Sequence, residues 1–345
     1  MILYLSSNDG SDTRVNKELM TLSKKSKVTF VGVGGDDYKV NLLQYCTSVY
    51  LVKGKRNTII VLLKTFCLVF YLRVTLKLSS IHVINEQLMV FFYPLLLGVP
   101  VVLDVFDSIF LKIDKPFNKL IFLKRITYFL ADTVVVTDSK RKNLMPNFVK
   151  KRVVVLENYP LLRSVKRERE YKSKNISIFY NGTLSINRGT LLLRRLVEKY
   201  KDVFIEMAGW IYDYDTVELS QCNKVNYRGV LSQQESAKVT EETADFIMCC
   251  YAPNNLNNIH ASPNKLYDAI QTNTPVIINK EIEISSFVEK NELGVVISSF
   301  DVVDELYSKV KNYKKMRDVS VKEKRKYSWE GVEQKLLKAH NVKFK

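Results

Sequence analysis

The sequence is poor in the residue types that bind metals or form disulfides. Its three histidines, at positions 82, 260 and 340, are widely scattered, and its five cysteines form no C-x-x-C pair. Such spacing offers no metal ligand set, and unpaired cysteines are typical of small core side chains in a reducing compartment. We therefore expect no metal site, no bound cofactor and a cytoplasmic location.

A long uncharged apolar run is also lacking. The longest apolar region, 59–78, is interrupted by Lys64, Arg73 and Lys77, and its uncharged part is far shorter than the about 20 residues that a bilayer helix needs. The N-terminus enters a strand pattern at once and has no basic region typical of a secretory signal. We predict a mostly buried helix at 59–78, with shallow membrane contact on the Arg73 side.

Acidic residues are scarce relative to basic ones, which gives a formal net charge of +17 and predicts an anionic partner. The clearest basic runs are Lys140, Arg141, Lys142, Lys150, Lys151 and Arg152, followed by Arg163, Lys166, Arg167 and Arg169. No nucleic-acid-binding motif accompanies them, so nucleic acid is not expected. Anionic lipid fits better, with a helix at 117–130 lying against a membrane. The alternative, that the basic residues only keep the surface soluble, stays open.

The chain is organised as two α/β halves, each with short β-branched runs suited to a buried parallel sheet. The first half predicts a helix at 13–25 and strands at 2–5, 28–33, 82–85, 99–104, 133–136 and 153–156. The second opens with a strand at 176–180. The charged segment 160–175 is the best linker candidate. We expect an N-terminal domain over 1–160, a C-terminal domain over 161–326 and a final helical segment over 327–345.

The most informative segment, 260–279, combines a loop, a capped helix and a buried strand. Ser262 is a good N-cap, Pro263 suits the first helical position, and Asn264 and Lys265 then place amide donors in the first turn. A phosphate would bind well there. Asp268 lies one turn beyond Asn264 and could accept hydrogen bonds from a ribose, so the segment predicts a nucleotide site. An ordinary helix start of an α/β protein is the alternative.

This segment resembles the donor-site motif of GT-B-fold glycosyltransferases, close to the retaining family 4 type, in which S-P-x-K-[LF]-[YF]-E is followed by G-x-P-V-I. Asp268 stands where those enzymes usually have glutamate, and Asn273 replaces the usual glycine. The resemblance implies that Asp268 binds the ribose hydroxyls. The family's other glutamate, which usually faces the donor sugar, falls at His260.

Three further segments of the second half carry the same resemblance. The turn from Gly182 to Gly189 is similar to G-x-L-x4-[KR]-G, with Thr183 in place of the usual second cation. The resemblance implies that Arg188 and Lys265 bind the donor pyrophosphate. Segment 225–232 is similar to the part of the family in which backbone contacts the base, here that of Gly229, Val230 and Leu231. Segment 327–330 resembles [FY]-S-W-E, after which a helix at 332–339 is expected to cross back to the N-terminal domain.

The first half matches the family less fully. Residues 12–15 resemble the D-x-R-V that opens the first helix, and Phe106 occupies the histidine position of the family's D-x-H-D, which puts the stereochemical class in doubt. An inverting reaction would need a carboxylate base, for which Asp12 and Asp107 are the candidates. A retaining reaction would rely on leaving-group assistance from the bound pyrophosphate. Arg14 and Phe106 are expected on the acceptor side.

The resemblance implies an α/β protein of GT-B architecture, with two Rossmann-like domains and parallel sheets facing across a cleft. The function that it implies is transfer of a sugar, most simply from a UDP-sugar, to a polysaccharide or lipid-linked oligosaccharide at the inner face of a membrane. Two other hypotheses stay open. One is a nucleotide-sugar epimerase of the same architecture, and the other is a catalytically silent nucleotide-sugar-binding subunit.

Overall fold

A computed structural model describes residues 1–55, 58–106, 108, 110, 118–163, 175–314, 316 and 318–340. The chain forms two compact units. Unit 1 runs from Met1 to Asn158 and resumes at Glu330, and unit 2 extends from Tyr159 to Trp329. No helix in the described ranges is both long enough and apolar enough to span a bilayer.

Unit 1 is built on a parallel sheet of seven described strands in the order β3-β2-β1-β4-β5-β6-β7. The strands are β1 (Ile2–Leu5), β2 (Val28–Val33), β3 (Ser48–Val52), β4 (Ser80–Ile84), β5 (Val101–Val105), β6 (Thr133–Val136) and β7 (Val153–Val155). Most are buried on both faces, which explains their continuous β-branched runs. All six strands predicted for this half are found within two residues of their expected ends, and β3 was not predicted.

Helices cover both faces of this sheet. They are α1 (Thr13–Ser23), α2 (Lys39–Leu43), α3 (Ile59–Thr75), α4 (Asn85–Phe91), α5 (Tyr93–Leu96), α6 (Asn118–Phe129), α7 (Ser139–Leu144), α16 (Trp329–Val332) and α17 (Gln334–Ala339). One core joins α3, α4, α5 and α6 to the same sheet face, through side chains such as Val69, Met89 and Tyr128. On the other face α1 packs against α17, so the C-terminal helix is part of unit 1.

Unit 2 has a parallel sheet of six described strands in the order β10-β9-β8-β11-β12-β13. The strands are β8 (Ile176–Leu184), β9 (Val203–Ile211), β10 (Val225–Tyr227), β11 (Phe246–Met248), β12 (Val276–Asn279) and β13 (Gly294–Ile297). The helices are α8 (Thr190–Lys199), α9 (Tyr214–Ser220), α10 (Gln233–Glu242), α11 (Leu256–Ile259), α12 (Asn264–Thr272), α13 (Ser285–Lys290), α14 (Val303–Lys311) and α15 (Val321–Lys326). The predicted α/β class, with two Rossmann-like parallel sheets, is confirmed.

Two of the predicted basic runs are partly internal. Arg141 is buried, where it donates to the Phe106 carbonyl and lies 3.3 Å from the Asp138 carboxylate. Arg152 donates to the Ala131 carbonyl at 2.6 Å. Both guanidiniums therefore satisfy local acceptors within unit 1, and contact of these runs with an anionic partner stays a prediction. Lys166, Arg167 and Arg169 lie outside the described residues.

Candidate functional site

The order of strands in unit 2 creates a natural crevice between β8 and β11. From β8 the chain proceeds through β9 to β10 on one side, and it then returns to build β11, β12 and β13 on the other side. Loops that leave β8 and β11 therefore diverge in opposite directions at the carboxyl ends of these strands. In open parallel sheets, ligands bind at such a switch point.

Near their carboxyl ends, strands β8 and β9 bring two glycine backbones close together. Gly182 has a left-handed φ of +86°, and its carbonyl oxygen would lie 1.9 Å from a Cβ added at Gly209 on the neighbouring strand. No side chain fits at position 209 without moving the strands apart. The pairing of these two strands thus leaves backbone accessible where a ligand would approach.

Hydrogen bonds to a tyrosine hydroxyl and to a carboxylate fix the loop that follows β8. The Tyr180 hydroxyl accepts from the Ser185 amide at 2.8 Å and lies 3.0 Å from the Thr190 hydroxyl. Burial raises the pKa of Tyr180 to about 12, so this hydroxyl stays protonated. The Asp213 carboxylate accepts from the Ile186 amide at 2.8 Å. These bonds fix the backbone just ahead of Arg188.

Arg188 is positioned by the loop that follows β11. Its Nη1 donates to Asn258 Oδ1 at 3.1 Å, and its guanidinium carbon lies 3.8 Å from the centre of the Tyr251 ring. Asn258 is itself fixed, because its Nδ2 donates to the Ala252 carbonyl at 2.8 Å. Within the described ranges, no carboxylate pairs with Arg188. Its charge is therefore available to an anion.

Lys265 lies in the first turn of α12 and reaches back to the end of β11. Its Nζ donates to the Met248 carbonyl at 3.2 Å, and its Cε would be 3.8 Å from a Cβ added at Gly182. Burial, together with the nearby charge of Arg188, lowers the pKa of Lys265 to about 8. In the part of the chain that the structure describes, Lys265 has no ion-pair partner. A bound anion would restore the pKa and neutralise both cations.

The start of α12 differs from the prediction at its cap. The helix begins at Asn264, and Pro263 is the N-cap with an extended backbone (φ −69°, ψ 130°). Ser262 was therefore wrong as the N-cap, and its hydroxyl lies 2.8 Å from the Tyr267 hydroxyl instead. The amides of Asn264 and Lys265 still occupy the first turn, where helical amides lack intrahelical acceptors. At the other end Asn273 adopts φ 52°, ψ 39°, the left-handed conformation that a glycine would otherwise supply.

The other predicted donor residues lie around this pair of cations. Asp268 is half-buried on α12, and its charge opposes the pKa depression of Lys265. Gly229 has a φ of +70° and nothing within 4 Å of an added Cβ, so its surroundings are open. Val230 is exposed, and Leu231 packs against a hydrophobic cluster that includes Val239 of α10. Thr183 is exposed and pairs in register with Trp210.

His260 is the C-cap of α11, and its imidazole lies near the carboxylate of Glu283. Its Nδ1 lies 2.9 Å from Glu283 Oε1. The two groups are close but do not form a hydrogen bond with good geometry. The catalytic role of His260 stays a prediction.

In unit 1 the predicted acceptor-side residue Arg14 is internal, with 1% of its surface exposed. Its Nε donates to Glu18 at 2.8 Å, its Nη2 donates to Asp104 at 2.8 Å, and its Nη1 donates to the Leu156 carbonyl at 3.0 Å. Burial raises the pKa of Asp104 to about 8, against the effect of the Arg14 charge. The guanidinium is thus engaged by protein groups on all sides, and it lies 4.8 Å from the centre of the half-buried Phe106 ring.

Two histidines extend this buried cluster. His82 Nε2 lies 3.3 Å from Glu18, and His82 Nδ1 lies 3.0 Å from His340 Nε2. Burial lowers the pKa of His82 to about 4, which keeps the ring neutral. Glu18, His82 and Asp104 are close enough together to ligate a metal, a geometry that the sequence did not suggest. Arg14 already occupies both carboxylates, so these residues fit a buried ion network better than a metal site.

The candidate bases in unit 1 are described only in part. Asp12 is exposed and is the N-cap of α1, where its carboxylate accepts from the Arg14 amide at 2.8 Å. Asp107 lies outside the described residues. Sequence reasoning missed Tyr251 and Asn258, the groups that position Arg188. Their contact depends on a loop distant in the chain, which no local motif signals.

One family model matches part of unit 2. Residues 196–328 match the family described as glucosyltransferase 3-like, C-terminal domain. Comparison with curated protein sequences gave no significant match. The matched range includes Lys265, Asp268 and the Gly229 segment, and it begins after Arg188.

Solved structures with a similar fold span both units. HepE from Anabaena, solved with UDP-glucose, has a TM-score of 0.70 and 11% identity, with 99% of each chain covered. Sucrose-phosphate synthase from Thermosynechococcus elongatus has a TM-score of 0.73 and 12% identity, covering 99% of this chain and 98% of its own. UDP-N-acetylglucosamine 2-epimerase from Rickettsia bellii has a TM-score of 0.59 and 11% identity, covering 98% and 95%. The chain therefore has the GT-B fold, and residues 196–328 are similar to the glucosyltransferase 3-like C-terminal domain.

Proposed function

We propose that the protein is a glycosyltransferase that binds a UDP-sugar in unit 2 and transfers its sugar to a polysaccharide or a lipid-linked oligosaccharide. The observation that carries the proposal is the convergence of Arg188 and Lys265 at the switch point of the sheet. Two cations with no acidic partner among the described residues suit a diphosphate. The glucosyltransferase 3-like domain and the UDP-glucose complex of HepE support this choice of ligand.

The proposed donor pose follows from the positions of the neighbouring groups. The pyrophosphate binds Arg188, Lys265 and the first-turn amides of α12. Asp268, one turn further along α12, accepts from the ribose hydroxyls, and the base lies against the open backbone of Gly229 to Leu231. This order along the site is the one expected for an extended nucleotide diphosphate.

Leaving-group stabilisation is the main chemical contribution that these residues can make. When the bond between the sugar and the diphosphate breaks, negative charge grows on the phosphate oxygens. Fixed cations in a water-poor crevice stabilise that charge without reorganisation. We infer that Arg188 and Lys265 provide this stabilisation in place of a divalent metal, and we favour a retaining reaction. In an inverting reaction Asp12 or Asp107 would act as the base.

An epimerase is the second candidate, because the fold also matches UDP-N-acetylglucosamine 2-epimerase. An epimerase would interconvert a free sugar nucleotide without an acceptor. The glucosyltransferase 3-like match over 196–328 favours transfer.

Product analysis by NMR separates the two candidates. The protein is incubated with UDP-glucose, UDP-galactose or UDP-N-acetylglucosamine, with and without lipid and glycan acceptor fractions. The proposal expects release of UDP, accelerated by an acceptor, and loss of release in Arg188→Gln but not in the matched control Arg195→Gln on α8. The anomeric configuration of the transferred sugar assigns retention or inversion. Formation of an epimeric sugar nucleotide without UDP release would replace the transferase by the epimerase.

A further inference from the structure

The outer side of the helices on one face of unit 1 is unusually apolar. Helix α3 has 17 residues and is held to the core by Val61, Val69 and Leu72. Its opposite side exposes large apolar side chains, so the expectation of a mostly buried helix at 59–78 was wrong. These side chains are Ile59, Ile60, Leu63, Phe70, Tyr71 and Val74. Single exposed apolar residues are ordinary, but a continuous row of them marks an interaction surface.

The same surface continues over the neighbouring helices. Helix α3 packs against α5, and α4 packs against α6, so the four helices form one layer on the sheet. Exposed apolar residues of the other three helices and of the turn after α5 are Val90, Tyr93, Leu97, Phe122, Ile126 and Phe129. We call the outer side of this layer, from α3 to α6, the apolar face.

The apolar face has basic edges, and its helices carry no exposed acid among their described residues. The exposed Asp132, just after α6, borders Tyr93 and Leu97 and accepts from the Val101 amide at 2.7 Å. Residues 38–103 contain a single acid, Glu86, which is buried and accepts from the Ser108 and Tyr128 hydroxyls. Residues 118–131 contain none. Lys64 and Arg73 are nine residues apart, so they lie about 180° apart around α3 and border its exposed row on opposite edges.

We propose that the apolar face docks on an anionic lipid bilayer, with α3 and α6 lying in the interfacial plane. The apolar side chains can enter the boundary of the acyl region, while the cations at their edges contact the phosphate headgroups. A second copy of the chain would place mostly like charges opposite each other. Nucleic acid would leave the apolar row in contact with water.

Vesicle flotation tests this surface without nucleotide, so its outcome is independent of the proposed sugar transfer. The full chain binds vesicles that contain phosphatidylglycerol and binds pure phosphatidylcholine more weakly. Tyr71→Ser combined with Val74→Ser weakens binding at least tenfold, because two apolar anchors are lost. The matched control is Tyr214→Ser combined with Val321→Ser, which removes the same two residue types from exposed positions of unit 2.

Charge provides the second arm of the test. Arg125 is exposed on α6, one turn before Phe129. Lys64→Gln and Arg125→Gln should each weaken binding to anionic vesicles about fivefold and should reduce its sensitivity to salt. Circular dichroism checks that each variant is folded, as expected for exposed positions. Failure of the wild type to bind anionic vesicles, or an equal loss in the control variant, overturns the proposal. A wild-type dimer that the Tyr71/Val74 variant converts to a monomer also overturns it, because the apolar face would then bind a second copy.

Discussion

Both units are built on a parallel sheet, but they differ in whether their enclosed cations are paired with carboxylates. In unit 1, Arg14 is enclosed by Glu18, Asp104 and a carbonyl, so its charge is satisfied within the protein. In unit 2, Arg188 and Lys265 are held by an amide oxygen, an aromatic ring and a carbonyl, none of which carries a negative charge. A cation contributes to folding in the first arrangement and is kept available for a ligand in the second.

The largest expected effect comes from breaking the compensated cluster of unit 1. Arg14→Met leaves two buried carboxylates without their counterion, which should lower the free energy of unfolding by about 3–5 kcal/mol. Denaturant titration, followed by probes of both units because a two-unit chain need not unfold in one step, measures the loss. The control Lys24→Met removes a partly exposed pair with Glu333 and should cost at most about 1 kcal/mol. Equal effects of the two variants would refute a buried network.

The corresponding change in unit 2 should affect binding rather than folding. Lys265→Met removes a desolvated cation that has no acidic partner, so stability should hold or rise. The affinity for UDP should fall about 10- to 100-fold, the value of a charge-assisted hydrogen bond of about 1.5–3 kcal/mol. Calorimetric titration compares this variant with Lys199→Met, an exposed lysine paired with Asp304. A destabilised protein with unchanged UDP affinity would make Lys265 a structural residue.

The depressed pKa of Lys265 predicts a pH dependence of opposite sign for binding and stability. Binding requires the charged form, so the affinity for UDP should decrease as the pH rises through about 8, by up to about tenfold per pH unit. Between about 8 and the unfolded pKa near 10.4, the unfolded chain binds more protons, so this lysine makes the protein more stable as the pH rises. Titrations at several pH values test both signs, and Lys265→Met should flatten the binding profile. An affinity that rises with pH would contradict the assignment.

The smallest expected effect concerns the support of Arg188. Tyr251→Leu removes the ring beneath the guanidinium, which is worth about 0.5–1 kcal/mol at such a site, or a two- to fivefold loss of UDP affinity. Tyr251→Phe keeps the ring and should bind UDP like the wild type. If the phenylalanine variant lost as much affinity as the leucine variant, the hydroxyl rather than the ring would be responsible.

Sequence patterns predicted most of the sheet and the chemical centre of the site. Strands β1, β2 and β6 were predicted to the residue, because buried parallel strands are continuous β-branched runs. Short motifs, which occur in the same order as in the family that the sequence resembles, identified Gly182, Arg188 and Lys265 as candidates. Asn273 fits its motif because asparagine tolerates the left-handed conformation of the glycine that it replaces.

The remaining features depend on contacts that spacing does not encode. Arg14 resembles an exposed helix cation until Asp104, which is distant in sequence, is placed beside it by strand β5. Tyr251 lies in an irregular loop and Asn258 on the four-residue helix α11, which is too short to show a periodicity. Ser262 was assigned as the N-cap because Ser-Pro often opens a helix, but the extended backbone of Pro263 starts the helix one residue later.

The most direct test of the account is thermal stabilisation by UDP, GDP, ADP, CMP and their sugar conjugates, measured on the wild type and on Lys265→Ala. A ligand at 100 times its Kd adds about 2.7 kcal/mol to the free energy of unfolding of the form that binds it. The account predicts a shift selective for uridine nucleotides that the variant loses while remaining folded. No shift with any nucleotide, or an equal shift in the variant, would contradict a donor site at Arg188 and Lys265.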